Sequence, residues 1–215
     1  MTYAAVNGIP IVKGRISIPG WGIWHADLWT DGDLAIGSAV TIELADLVAV
    51  GTVVRDVAWT GQRGVRVVGG AGGWRRAVTA QQYANPQGLT MSTIASDTAT
   101  TVGESVVVDV DRTVGVQWMR VAGSASDALY ALADETWWVG LDGVTHIGTR
   151  VPGAIVSVFT ATAVDQAGDI VTVATENPAD WLPGKTYAGT TVSGTIDRVT
   201  HHITAMTMRT EVVNV

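Results

Sequence analysis

The first third of the chain is built from Val, Ile, Thr, Gly and Trp, and glycine-bearing turns cut it about every 8–12 residues, the spacing of an all-β sandwich or barrel. Strands are predicted over 14–18, 22–29, 39–44, 47–59 and 64–68. Apolar and polar residues alternate only in part within Trp24-His25-Ala26-Asp27-Leu28-Trp29, and Asp31-Gly32-Asp33 reads as a tight turn. The texture changes between 69 and 103. Gly-Gly-Ala-Gly-Gly leads into Trp74-Arg75-Arg76, and the apolar spacing beyond it predicts short helices over 78–83 and 90–100, divided by Asn85-Pro86-Gln87-Gly88 and closed at Gly103.

A clearer helix follows Ser124. Ser126 is its expected N-cap, Asp127 sits where the helix dipole favours negative charge, and Ala128, Leu129, Leu132 and Ala133 form the apolar face. It is expected to end by Glu135 or Thr136. A strand over 137–141, a turn at Asp142-Gly143 and a returning strand over 144–147 then make a hairpin under the helix, a small α+β unit. The remainder reads as β again, with strands over 155–163, 169–175, 186–192, 194–203 and 207–213, broken at Pro178 and Pro183.

The two β regions echo one another. Gly51-Thr52-Val53-Val54-Arg55 in the first matches Gly194-Thr195-Ile196-Asp197-Arg198 in the second, each opening on Gly-Thr and a β-branched residue and carrying Arg at the fifth place. A duplicated barrel and two unrelated hairpins both fit that echo.

Composition narrows the function. The chain has 215 residues, of which 15% are charged and 47% hydrophobic, so it is not a disordered chain and it buries much surface, some of it between subunits. Its formal net charge of -7 makes duplex DNA and anionic membranes poor partners for the bulk of the surface, since affinity for phosphates rests on Lys and Arg. The absence of cysteine excludes disulfides, iron-sulfur clusters and thiol nucleophiles. No apolar run is long enough to span a bilayer, and the opening residues lack the form of a signal peptide, which leads to the expectation of a cytoplasmic chain that binds no membrane.

Candidate chemistry is sparse. His201 and His202 are expected on opposite faces of a strand, and His25 and Asp27 share a face without a third ligand, so neither a metal nor a cofactor is expected. The glycine cluster at 69–73 stands between a strand and a helical stretch, the context of a phosphate loop. It lacks the Lys-Ser/Thr pair of such loops, which favours a tight corner. No serine-hydrolase motif occurs, and Glu43, Asp46, Asp134, Glu135 and Asp142 are carboxylates that nothing in the sequence brings together. No catalytic residue is expected. Nine tryptophans are many for this length, and they fit either a sugar-binding groove, using Trp21, Trp24 or Trp181, or the centres of protein interfaces.

The stretches GRISIPGWGIWHADLWTDG, GTVVRDV, RVVGGAGGW, the Gly103-Glu104 pair, SASDALYALADETWWVGLDGVTHIGTR and WLPGKT together resemble the hub proteins at the tail tip or baseplate of tailed bacteriophages. The resemblance implies a mainly β fold with an α+β insert: two similar β-barrel, tube-like domains at 1–76 and 151–215, with short helices and a helix-hairpin unit at 77–150 between them. It further implies a structural, non-enzymatic virion protein. Three copies would close into a pseudo-sixfold ring, a homotrimer between a tail-tube or distal-tail protein and a spike or tail-tip protein, with DNA passing through the lumen unbound. Trp24, Trp29, Arg55, Trp74 and Arg198 are the interface candidates, the two arginines in equivalent places of the echo. Another tail-tube or distal-tail subunit, a carbohydrate-binding β module of a receptor-binding apparatus and a hydrolase with a dispersed carboxylate pair are the competing readings.

Overall fold

The computed structural model describes residues 3–59, 62–205 and 207–215. Six strands, β1 (Ala4–Val6), β2 (Ile9–Ile18), β3 (His25–Thr30), β4 (Ala39–Leu44), β5 (Leu47–Trp59) and β6 (Gln62–Gly69), pair in the order β1-β4-β5-β6-β3-β2 and close into a barrel through β1 and β2. Side-chain alternation decides which face turns inward. In β4, Val40, Ile42 and Leu44 are buried while Thr41 and Glu43 point out; in β3, Ala26, Leu28 and Thr30 are buried while His25, Asp27 and Trp29 point out. Each fully buried Leu or Ile of this core stabilises the fold by about 1.5–3 kcal/mol. Asp31-Gly32 is a bend at the end of β3, but it closes no hairpin, because β3 pairs with β2 and β6.

The insert comprises β7 (Ala77–Val78), β8 (Gln81–Thr90), α1 (Met91–Val102), β9 (Val106–Val108), β10 (Thr113–Arg120), β11 (Gly123–Ser124), α2 (Ala125–Ala133), β12 (Trp137–Val139) and β13 (Thr145–Ile147). The helix predicted over 78–83 is instead β7 and the start of β8, whose partner β10 lies some thirty residues further on in sequence and supplies the pairing that local propensity does not. Asn85-Pro86-Gln87-Gly88 bulges out of that ribbon: Ala84 faces Gln117 and Leu89 faces Gly115, so the four residues stand against Val116 alone. β12 and β13 form the expected hairpin, and β9 joins it in parallel.

Thr90 caps α1 by accepting from the Thr93 amide, and Gly103 (φ 77°) ends it. The cap of α2 is Ser124, not Ser126. Ser124 is extended and stands three residues before Asp127, so its hydroxyl takes the Asp127 amide while the Asp127 carboxylate takes the Ser124 amide. The helix ends at Ala133, with Asp134 (φ 52°) leaving the helical backbone. Ser124→Ala is expected to cost about 1 kcal/mol and to lower the melting temperature by about 2–4 °C in a thermal unfolding scan.

The last strands are β14 (Gly153–Ala154), β15 (Phe159–Asp165), β16 (Ile170–Thr175), β17 (Lys185–Ala188), β18 (Ser193–Thr204) and β19 (Met208–Asn214). They form an open sheet, β18-β19-β16-β15, with β17 on the first residues of β18 and β14 parallel to β17. This differs from the expectation of a second closed barrel. The edge of β18 that closure would use is occupied: residues 199–204 pair with residues 13–18 of β2, so the two halves share one continuous sheet. The second half keeps a small core of its own, in which Trp181 packs against Phe159 and Tyr187, while the insert shares the core of the barrel. Among the described residues no helix is long and apolar enough to cross a membrane.

Candidate functional site

The outer face of the shared sheet carries a row of charged side chains in register. Arg55 of β5 stands opposite Arg66 of β6, Arg66 opposite Asp27 of β3, Asp27 opposite Arg15 of β2, Arg15 opposite His202 of β18, and His202 opposite Arg209 of β19. Asp27 is the hub of the row. Its carboxylate receives Arg66 in a bidentate pair at 2.6 and 2.8 Å and Arg15 at 3.1 Å. The Arg66 hydrogen bonds, opposed by partial burial and helped by Arg15, hold the Asp27 carboxyl below its ordinary range. Two guanidiniums therefore share one carboxylate, and Arg55 has no ion pair among the described residues. In the neighbouring row Lys13 lies over the Trp29 ring at 4.9 Å. Arg198 adds a further cation, and the carboxylates that strand parity puts on this face include Asp27, Glu43, Asp165, Asp197 and Glu211. In the row centred on Asp27 the surplus is positive, Arg15, Arg55, Arg66 and Arg209 against one carboxylate, on a chain whose net charge is -7.

Two grooves cut this face. One, of about 240 Å³, has Trp29 and Val57 as walls and Gly64 in its floor, with Arg55, Arg66 and Asp27 at its rim. The other, of about 320 Å³, is lined by Pro19, Gly20, Trp21, His25, Asp197 and Arg198. Each of the two echoed arginines flanks one groove, and each follows a β-bulge at the same step of its motif. The register slips by one residue between Val53 and Arg55 where β5 meets β6, and between Ile196 and Arg198 where β18 meets β19. Val53 and Ile196, the third residues of the two motifs, are both buried. A bulge re-aims the next side chain, and both arginines are turned to solvent.

Of the five interface candidates, the structure brings Trp29 and Arg55 into one groove and places Arg198 beside the other. Trp24 and Trp74 are corrected: they are 0% and 1% exposed, so neither ring is available to another subunit. Period-two counting back from Ala26 and Leu28 already puts Trp24 on the inner face. Both rings fasten the insert to the barrel, Trp24 donating to the Gly140 carbonyl at 3.0 Å and Trp74 to the Thr145 hydroxyl at 2.7 Å. The sugar-platform reading loses Trp24 and Trp181 to the interior and keeps only Trp21, 39% exposed and beside Tyr130.

The glycine cluster holds an anion, and that anion belongs to the chain. Gly70 and Gly72 (φ 74° each) turn the amides that follow them towards the Glu104 carboxylate, which accepts from Ala71 at 3.0 Å and Gly73 at 2.5 Å. The corner is therefore plugged from within. Glu104 follows the Gly103 cap of α1, so the Gly-Glu pair seats the helix against the end of β6, a role the sequence reading did not give it.

The histidines follow their strands. His202 faces out, 3.6 Å from Glu211, and His201 faces in, its Nδ1 3.0 Å from the Thr210 hydroxyl. His25 is held below its ordinary pKa, first by burial and then by Arg66. Among the described residues no three His, Asp or Glu are placed to hold a metal. Asp142 serves its own turn, taking the amide of Val144, and Asp46 takes the amide of Ala179 from the second half of the chain.

This fold is shared with solved structures of tail proteins. The tail protein from Neisseria meningitidis MC58 superposes with a TM-score of 0.67 at 13% identity, over 98% of this chain and 95% of that one. The 43 kDa tail protein of prophage MuSo2 from Shewanella oneidensis superposes with a TM-score of 0.70 at 10% identity, over 97% and 95%. At such identities the likeness is one of fold. No protein-family model matches the sequence, and no curated protein is similar to it in sequence.

Proposed function

We propose that the chain is a structural, non-enzymatic subunit of a bacteriophage tail, a baseplate or tail-tip hub that closes as a trimer into a pseudo-sixfold ring between tail tube and spike. The observation that carries the tail role is the likeness of fold to the two tail proteins over nearly the whole chain. What supports the hub is the relation between the halves. A Gly-Thr-x-x-Arg motif with the same bulge recurs in a barrel of residues 1–76 and a sheet of residues 151–215, with residues 77–150 inserted between them. A trimer of such paired halves presents six related elements to a sixfold tube and three chains to a threefold spike.

In this reading the virion tail is the working location and DNA passes through the ring without specific binding. Clustered arginines are what duplex phosphates bind, so the face that carries the arginine row is turned away from the channel and towards neighbouring subunits. The test is electron microscopy of the purified chain. Class averages are expected to show threefold particles with six lobes around a central opening, and compact particles without an opening would contradict the ring.

A further inference from the structure

We infer that the groove of Trp29, Val57, Gly64, Arg55 and Arg66 receives the acidic turn between β15 and β16 of a second copy of this chain, an inference that rests on the ring reading above. The groove offers what an acidic turn with an apolar flank needs. The Trp29 ring and Val57 line it, the missing side chain of Gly64 opens its floor, and at its rim the Asp27 carboxylate is already taken by Arg66, which leaves Arg55, without an ion pair among the described residues, as the cation open to a partner. The turn offers the complement. Asp165 and Asp169 stand exposed on either side of Gln166-Ala167-Gly168, beside Val164, which is half exposed. Asp165 accepts from the Ala167 and Gly168 amides at 3.1 and 3.4 Å, so the loop is shaped before it binds. Neither carboxylate has an ion pair among the described residues.

Position decides that the partner is another molecule. The groove lies over β6 and its neighbours, and the turn joins β16 to β15 at the far end of the same sheet. Five strand spacings separate β6 from β16, about 24 Å, so one chain cannot seat its own turn in its own groove. A contact that joins one end of a subunit to the other end of the next is heterologous, and repeated with a closing rotation it gives a ring. Net charge points the same way, since the positive row of an acidic chain finds its complement on every other copy.

The experiment compares four full-length proteins by light scattering across a concentration series at low and high salt: wild type, Arg55→Glu, Asp169→Arg, and the double variant Arg55→Glu/Asp169→Arg. Arg55 is exposed and makes no ion pair among the described residues, so its variant removes no salt bridge seen there, and circular dichroism checks the fold of all four. Each single variant is expected to weaken assembly at least about tenfold, and the double variant, with the contact reversed in sign, to recover to within about threefold of wild type. High salt is expected to weaken the wild type and to narrow the differences. If the wild type assembles and the single variants assemble equally well, or if the double variant is no better than either single, the contact is overturned while the ring stands. A wild type that is monomeric throughout overturns both.

Discussion

Glu104→Ala is expected to lower the unfolding free energy by about 4 kcal/mol. Glu104 is 9% exposed, and its carboxylate takes both inward amides of the glycine corner. Removing it deletes two charge-assisted hydrogen bonds, worth about 1.5–3 kcal/mol each, and strands the Gly73 amide in a buried position, while the exposed Ala71 can turn to water. Glu104→Gln keeps the shape but turns an NH2 group towards one of those amides, so about half of the loss is expected. For a chain of this size the Ala variant corresponds to a fall of about 10 °C in melting temperature. A melting temperature within a degree or two of wild type would show that the corner holds without its anion.

The second large effect is a loss of stability in acid. His201 lies wholly buried on β18, between Ile16 of β2 and Thr210 of β19, where the two halves share their sheet. Burial pushes its imidazole down to about 3, and the neighbouring His202 adds to the push. In the unfolded chain it titrates near 6.5, so between those values the unfolded state takes up a proton that the folded state refuses. The stabilisation is complete above pH 6.5 and drains as the pH falls towards 3, by roughly 3 kcal/mol at pH 4.5. Urea denaturation at pH 7.5 and pH 4.5 measures it, and His201→Leu is expected to flatten the difference by that amount. His25, lowered in the same sense, contributes equally to both proteins, so their comparison isolates His201. The depressed Asp27 carboxyl acts only in more acid solution, below its ordinary 3.8. Equal acid sensitivity in the two proteins would place the effect elsewhere.

What the sequence made legible follows from the range of the forces involved. Strand positions in the barrel were readable because β-branched runs and glycine turns are local signals; β4 and β5 run over the expected residues. The helix α1 and its Gly103 stop were readable for the same reason. The ribbon of β8 and β10 was not, because residues 81–90 become a strand only when β10 arrives from beyond α1. The open second sheet was hidden likewise: nothing in 193–204 announces that β2 will take its edge.

At the candidate site the echo located Arg55 and Arg198, and the structure added the shared bulge that turns each of them outward. The arginine row was invisible. Arg15, Arg66, His202 and Arg209 lie far apart in sequence and meet only because strand register sets them side by side. Trp24 and Trp74 show the opposite error, since a tryptophan is as much a core filler as an interface anchor and only its parity on the strand tells the two apart.

The central claim, that this fold assembles into a trimeric ring, is tested most directly by the absolute mass of the purified chain in solution, followed by light scattering across a concentration series. The account predicts a plateau near three chains. A mass of one chain at every concentration would contradict it.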